Sequence, residues 1–171
     1  MLSRSISGIV VHCSGKLSYG CAILFDRWHR DRNFTMVGYH FVIGNGHPYK
    51  DVFWDWFDGT IEIGRPLDHN HIIEPYEVGA HAYGRNRDTI GVCLVGDGNF
   101  TEKQLASSQM LINRLCNEHN LKIKNVIGHK EVPGTTKTCP NMPMDNFRHF
   151  LGGNLTTKEM VKVNALFNQK D

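Results

Sequence analysis

Two stretches far apart in the chain carry imidazole and thiol groups: Val10-Val11-His12-Cys13-Ser14, and Gly128-His129 followed by a loop to Cys139-Pro140. A catalytic zinc site uses three protein ligands and leaves a fourth position for water. His12, His129 and Cys139 supply three donors of suitable type, and Lys137 sets a cation two positions before the thiol. Such a set suits a zinc hydrolase. Each group alone has a plainer reading, a hydrogen-bonded core histidine after an apolar strand or a buried thiol. Pro133, Gly134 and Pro140 make a loop able to return the thiol to the imidazole, although the His-x9-Cys spacing matches no common structural-zinc pattern. A metal-free alternative pairs Cys13 or Cys139 with a histidine as nucleophile, but no nucleophile signature surrounds either cysteine.

These residues must be aimed by regular elements. Residues 6–13 form an apolar, β-branched run that reads as a buried strand ending near His12. Residues 20–32 carry Leu24, Phe25 and Trp28 at helical spacing, with Asp26 four positions before Arg30. Residues 39–44 read as a strand stopped by Gly44-Asn45-Gly46, and residues 46–56 as an aromatic-rich excursion. Asp58-Gly59 reads as a tight turn into a strand over residues 60–65. Residues 66–84, with His69, His71 and His81, show no sustained period and read as loop. Residues 89–95 form a continuous apolar strand. Thr101-Glu102-Lys103-Gln104 is a capping box that opens a helix running to about Asn117. A strand over 125–129, a short helix over 145–151 and a terminal helix over 156–169 complete the chain. This order implies an α/β fold, a single domain with a central mixed β-sheet flanked by helices.

Composition sets bounds rather than identity. With 171 residues the chain is one domain long and can bury a core without disulfides or metal. A net charge of +2 gives no ground for a nucleic-acid partner. No run of about 20 apolar residues suits a membrane span. The first residues lack an apolar signal-peptide region, so synthesis in the cytoplasm is expected. Five cysteines without a CxxC pair read as reduced thiols.

The residues also follow a known pattern. Val10-Val11-His12-Cys13-Ser14, Trp28-His29, Val37-Gly38-Tyr39-His40-Phe41, Asp58-Gly59-Thr60 with Gly64-Arg65-Pro66, and Gly79-Ala80-His81-Ala82 come first. Thr89-Ile90-Gly91-Val92-Cys93-Leu94-Val95-Gly96, Gly128-His129-Lys130-Glu131-Val132 and Lys137-Thr138-Cys139-Pro140 follow in order. Across residues 8–151 the chain resembles the zinc-dependent N-acetylmuramoyl-L-alanine amidases of the peptidoglycan-recognition-protein superfamily, and most of all the small phage amidase-type lysozymes (endolysins). The resemblance implies one zinc ion held by His12, His129 and Cys139, with Tyr39 and Lys137 as catalytic auxiliaries. It implies peptidoglycan as partner, met through His81, Tyr83, Arg85 and Asn86.

In many members of that superfamily a glutamate stands where this chain has Cys93, so the proton route departs from theirs; Glu131 is close in sequence. Residues 46–56 are an insertion relative to the compact phage pattern, expected to pack as a local aromatic cluster of Tyr49, Phe53, Trp54 and Trp56, the alternative being an aromatic wall of the sugar groove. The expected organisation is a catalytic domain over residues 1–151 and a helical extension over 152–171 packed on it, in a monomer. The expected reaction cuts the amide between N-acetylmuramic acid and L-alanine during host lysis. The competing functions are a non-catalytic peptidoglycan-binding module and a cytoplasmic muropeptide-recycling amidase.

Overall fold

The computed structural model describes residues 4–66 and 72–169. Strand β1 (Gly8–Cys13) is followed by α1 (Ala22–Arg30), β2 (Phe41–Asn45), β3 (Asp58–Ile63) and β4 (Thr89–Leu94). Then come α2 (Glu102–Glu118), β5 (Val126–Gly128), α3 (Met144–Leu151) and α4 (Thr157–Phe167). The five strands form one sheet in the order β3-β2-β4-β1-β5. Strand β2 runs antiparallel to β3, and the other neighbours are parallel. This is the mixed α/β sheet that the sequence pattern implies.

All residues of β1 and of β4 are buried, as befits central strands covered on both sides. Because strand side chains alternate, Ile9 and Val11 join Phe41, Ile43, Ile90, Val92 and Leu94 in the main core beneath α2 and α3. Val10, His12, Val42 and Cys93 are their alternates and face the other way. On that second face Ala22 and Phe25 of α1 pack with Val42, Cys93 and Val95. Among the described residues no helix packs on this face beside the ends of β1 and β5, and polar residues such as His12 and His129 gather there.

Helix α2 starts where its sequence signal lies: Thr101 and Gln104 close a capping box. Leu105, Leu111, Ile112 and Leu115 are its buried stripe, and the Gln104 side chain donates to the Ile43 and Val95 carbonyls. Helix α4 opens with a second capping box, Thr156 with Glu159, and buries Met160 in the main core.

Two local features differ from the sequence expectation, and the aromatic cluster follows it. Asp58 and Gly59 belong to β3 instead of forming a turn before it; a register shift between Ile43 and Asn45 lets the strand kink there. Gly59 has φ +80° and a Cβ would meet Lys103 at 2.9 Å, so glycine serves both the backbone and the helix approach. Strand β5 stops at Gly128, and His129 opens a 3-10 turn (His129–Glu131). Within residues 46–56, Trp54 stacks on Trp56 at 5.3 Å and Tyr49 meets Trp54 edge-on, a cluster that stays exposed. His69 and His71 lie outside the described residues.

Candidate active site and metal centre

His12 projects from β1 opposite Cys93 of β4 and is 1% exposed. Since β1 and β5 are parallel, the chain leaves both at the same end of the sheet, which brings His129 next to His12. The two rings lie 4.6 Å apart. Cys139 returns to this point because the Lys130 N–H donates to its carbonyl (2.8 Å) and Lys130 Nζ donates to the Met142 carbonyl (2.7 Å). The Cys13 N–H donates to Cys139 Sγ at 3.0 Å. Asn141 donates to Asp97, which fixes the far end of the loop. As a result one ligand atom from each of His12, His129 and Cys139 lies within 4.8 Å of the others. Two imidazoles and a thiol at this spacing fit a tetrahedral zinc site with one open position.

The electrostatics suit a cation. Burial holds the His12 imidazole well below its usual pKa, and His81, His129 and His40 add to the effect. Burial also lowers His129, with the Lys137 ammonium as second cause. Both rings therefore stay neutral, the form that offers a lone pair to a metal. The hydrogen bond with Cys13 and burial push the Cys139 thiol up. A cation beside it is what would favour the thiolate.

Tyr39 comes from the residues just before β2, its ring 5.1 Å from His12 and packed against Phe25 and His29. Burial holds its hydroxyl well above the usual tyrosine range, with Cys93, Cys139 and Cys13 adding to the shift, so it serves as a hydrogen-bond donor. Lys137 is exposed and lines the same cavity. Cys93 is fully buried behind His12, and burial pushes its thiol well up, so it stays neutral and takes no proton. Glu131 is also committed elsewhere. It accepts two Arg148 hydrogen bonds of 2.9 Å and the Gly128 N–H. Burial opposes its ionisation, but Arg148 and that N–H outweigh burial and keep the carboxyl below its usual range.

Three neighbouring cavities share lining residues along the site. The central one, about 360 Å³, is lined by His12, Tyr39, His81, His129, Lys137 and Cys139. A neighbour of about 460 Å³ shares His81, His129 and Lys137 with it and adds Tyr83, Asn86 and Phe34. On the other side, Ser14 and Tyr39 lead to a space of about 350 Å³ walled by Phe25, Trp28 and Arg32. Tyr83 is 97% exposed at the rim. Asn86 faces the cleft but its Oδ1 accepts the His81 and Ala82 N–H groups, so it shapes the loop. Arg85 is turned to Asp88 and Ser7 and does not line these three cavities. His81 is 8% exposed and its Nδ1 lies 3.0 Å from His12 Nε2. Asp97 is a supporting residue that spacing did not single out; its place between Gly96 and Gly98, both at positive φ, marks it as a turn residue held in position.

A family profile described as N-acetylmuramoyl-L-alanine amidase matches residues 2–142. The chain belongs to the N-acetylmuramoyl-L-alanine amidase family. The endolysin of Escherichia phage T7 is 33% identical over 151 residues, covering 82% of this chain and 84% of that protein. The amidase XlyA of Bacillus subtilis is 27% identical over 147 residues, which are 85% of this chain and 43% of XlyA. Among solved structures, the amidase LysC from Clostridium intestinale superposes with a TM-score of 0.66 at 26% identity, covering 86% of each chain. Drosophila PGRP-LB superposes with a TM-score of 0.58 at 21% identity, over 81% of this chain and 76% of that one, and shares the fold. The protein is thus an amidase enzyme whose relatives include phage endolysins. Among the described residues no helix is long and apolar enough to cross a membrane.

Proposed function

We propose that this amidase is a zinc enzyme acting on peptidoglycan, and that it serves a phage or prophage as an endolysin. The observation that carries the metal reading is the convergence of His12, His129 and Cys139 at the open end of the sheet. When bound there, zinc supplies Lewis acidity and lowers the pKa of water to roughly 7. Water adds to the lactyl carbonyl of N-acetylmuramic acid, the C–N bond breaks, and the products are a lactyl carboxylate and the free amino group of L-alanine. Tyr39 donates a hydrogen bond to the reacting oxygen or the attacking water. Lys137 sets its ammonium beside the developing oxyanion, a contact worth about 3–4 kcal/mol. Tyr39 and Lys137 both line the central cavity, so the leaving amine draws its proton through them, with Cys93 and Glu131 taking no part.

The cleft on either side of the ligands has room for the sugar and the stem peptide, with Tyr83 and Asn86 at one side. Residues 1–151 are assigned to the catalytic domain and 152–171 to an extension packed on it. A thiol nucleophile is disfavoured because no nucleophile signature surrounds Cys13 or Cys139, and the hydrogen bond with Cys13 and burial push the Cys139 thiol up. In the biological setting suggested by the phage relatives, the enzyme is made in the cytoplasm and reaches the wall after the membrane is breached.

Digestion of purified peptidoglycan with mass spectrometry of the products tests the reading. Stem peptides with new free L-alanine amino termini are expected. Binding to the wall without any such release would identify a binding module instead, and release only from small soluble muropeptides would identify a recycling enzyme.

A further inference from the structure

The position of His81 is not that of an ordinary substrate contact. Its ring is 8% exposed and stands edge-on to His12, interplanar angle 89°. Space for it has been cleared on two sides. A Cβ on Gly79 would lie 2.5 Å from the His81 ring, and one on Gly91 of β4 would lie 2.6 Å from it. Asn86 Oδ1 accepts the His81 and Ala82 N–H groups, both at 2.8 Å, which fixes the backbone carrying the ring.

Two neutral imidazoles in hydrogen-bond contact need one donor and one acceptor. His12 turns Nδ1 towards Cys139 Sγ, at 3.9 Å, and Nε2 towards His81 Nδ1, at 3.0 Å. For Nδ1 to offer its lone pair among the ligand atoms, the His12 proton must sit on Nε2 and be donated to His81 Nδ1. His81 then carries its own proton on Nε2, a buried atom with no hydrogen-bond partner among the described residues. A hydrogen bond to the second ring nitrogen is how a metal-ligating histidine has its tautomer and orientation fixed.

We propose that His81 is a positioning residue for His12, holding it in the Nε2–H tautomer with Nδ1 free for the metal. The inference rests on the reading of His12 as a metal ligand.

The test uses the full chain in two forms. Nitrogen-15 NMR of the metal-free protein reads the His12 tautomer, and competition with a chromogenic chelator reads zinc affinity. Wild type should show one Nε2–H tautomer at His12. His81→Ala should show a mixture and bind zinc about 10–100-fold more weakly. Gly91→Ala, which keeps the imidazole but intrudes on its space, should weaken zinc in the same direction. His81→Asn, which returns an acceptor near the Nδ1 position, should keep one tautomer and most of the affinity. Unchanged zinc affinity and tautomer in folded His81→Ala, with only a raised KM, would overturn the proposal and leave His81 as a substrate contact. If wild type bound no zinc at all, the ligand reading itself would fail, a result separable from the first.

Discussion

The two faces of the sheet are made from alternate residues of the same strands, yet they carry opposite chemistry. One face gathers Ile9, Val11, Phe41, Ile43, Ile90, Val92 and Leu94 beneath α2 and α3, and it is apolar throughout. The other holds His12 and Cys93, and near them His29, His40 and His81, all buried. On the first face burial stabilises the fold at about 25 cal/mol per Å² of apolar surface. On the second, burial costs stability unless each ring finds a partner. Two of the rings are well partnered: His29 Nδ1 accepts the Gly38 N–H, while His40 accepts the Gly91 N–H and donates to the Glu77 carbonyl. The apolar face therefore supplies the stability with which the histidine face holds its groups neutral and aimed.

Substitutions on the two faces should separate stability from turnover. Cys139→Ser should reduce amide cleavage to background while leaving the thermal transition nearly unchanged; retained cleavage would remove the sulfur from the ligand set. On the opposite face, Phe147→Ala should cost about 3–5 kcal/mol in denaturant unfolding. Its turnover per folded molecule should stay normal, and a large fall in kcat would mean that the faces are coupled. Lys137→Ala should keep zinc and fold but lose about 10²–10³ in kcat. Loss of stoichiometric zinc in that variant would mean that the lysine has been given the wrong role.

Acid offers a finer comparison. Burial holds His40 down to about 4, so the neutral form is favoured in the fold. Its contribution is fully present above its ordinary value near 6.5 and is lost as the pH falls through 4, a loss on the order of 3 kcal/mol. Glu62 runs the other way, because burial raises it to about 7 despite the Ala22 N–H it accepts. Protonation of Glu62 adds stability as the pH falls from 7 towards its ordinary value. Glu62→Gln should therefore make the acid decline steeper in unfolding titrations between pH 7 and pH 5; an unchanged slope would mean that Glu62 ionises normally. The smallest effect belongs to the exposed aromatic cluster, where Trp56→Ala should change stability by no more than about 0.5 kcal/mol.

Much of the frame could be read from the chain because periodicity and capping carry it. The apolar run of β1, the continuous run of β4 and the Thr101–Gln104 box each mark their element directly. The convergence of His12, His129 and Cys139 was legible as residue types and family order. What side chains do inside loops was less so. Arg85 finds Asp88 three residues on, Glu131 finds Arg148 seventeen residues on, and Asn86 turns back on its own loop. Such choices depend on local backbone direction, which no hydrophobic period records. The Cys13 and Cys139 contact likewise joins positions 126 residues apart through the sheet register. His81 shows the same limit, for its motif places it near the site while only burial and ring orientation distinguish support of His12 from contact with substrate.

The most direct test of the account is metal content and amide cleavage followed on one sample through removal and return of zinc. Wild type should hold one zinc per chain, lose release of L-alanine amino termini from peptidoglycan when it is stripped, and regain it on adding one equivalent. Undiminished cleavage by protein verified as metal-free would contradict the central claim that His12, His129 and Cys139 form a catalytic zinc site.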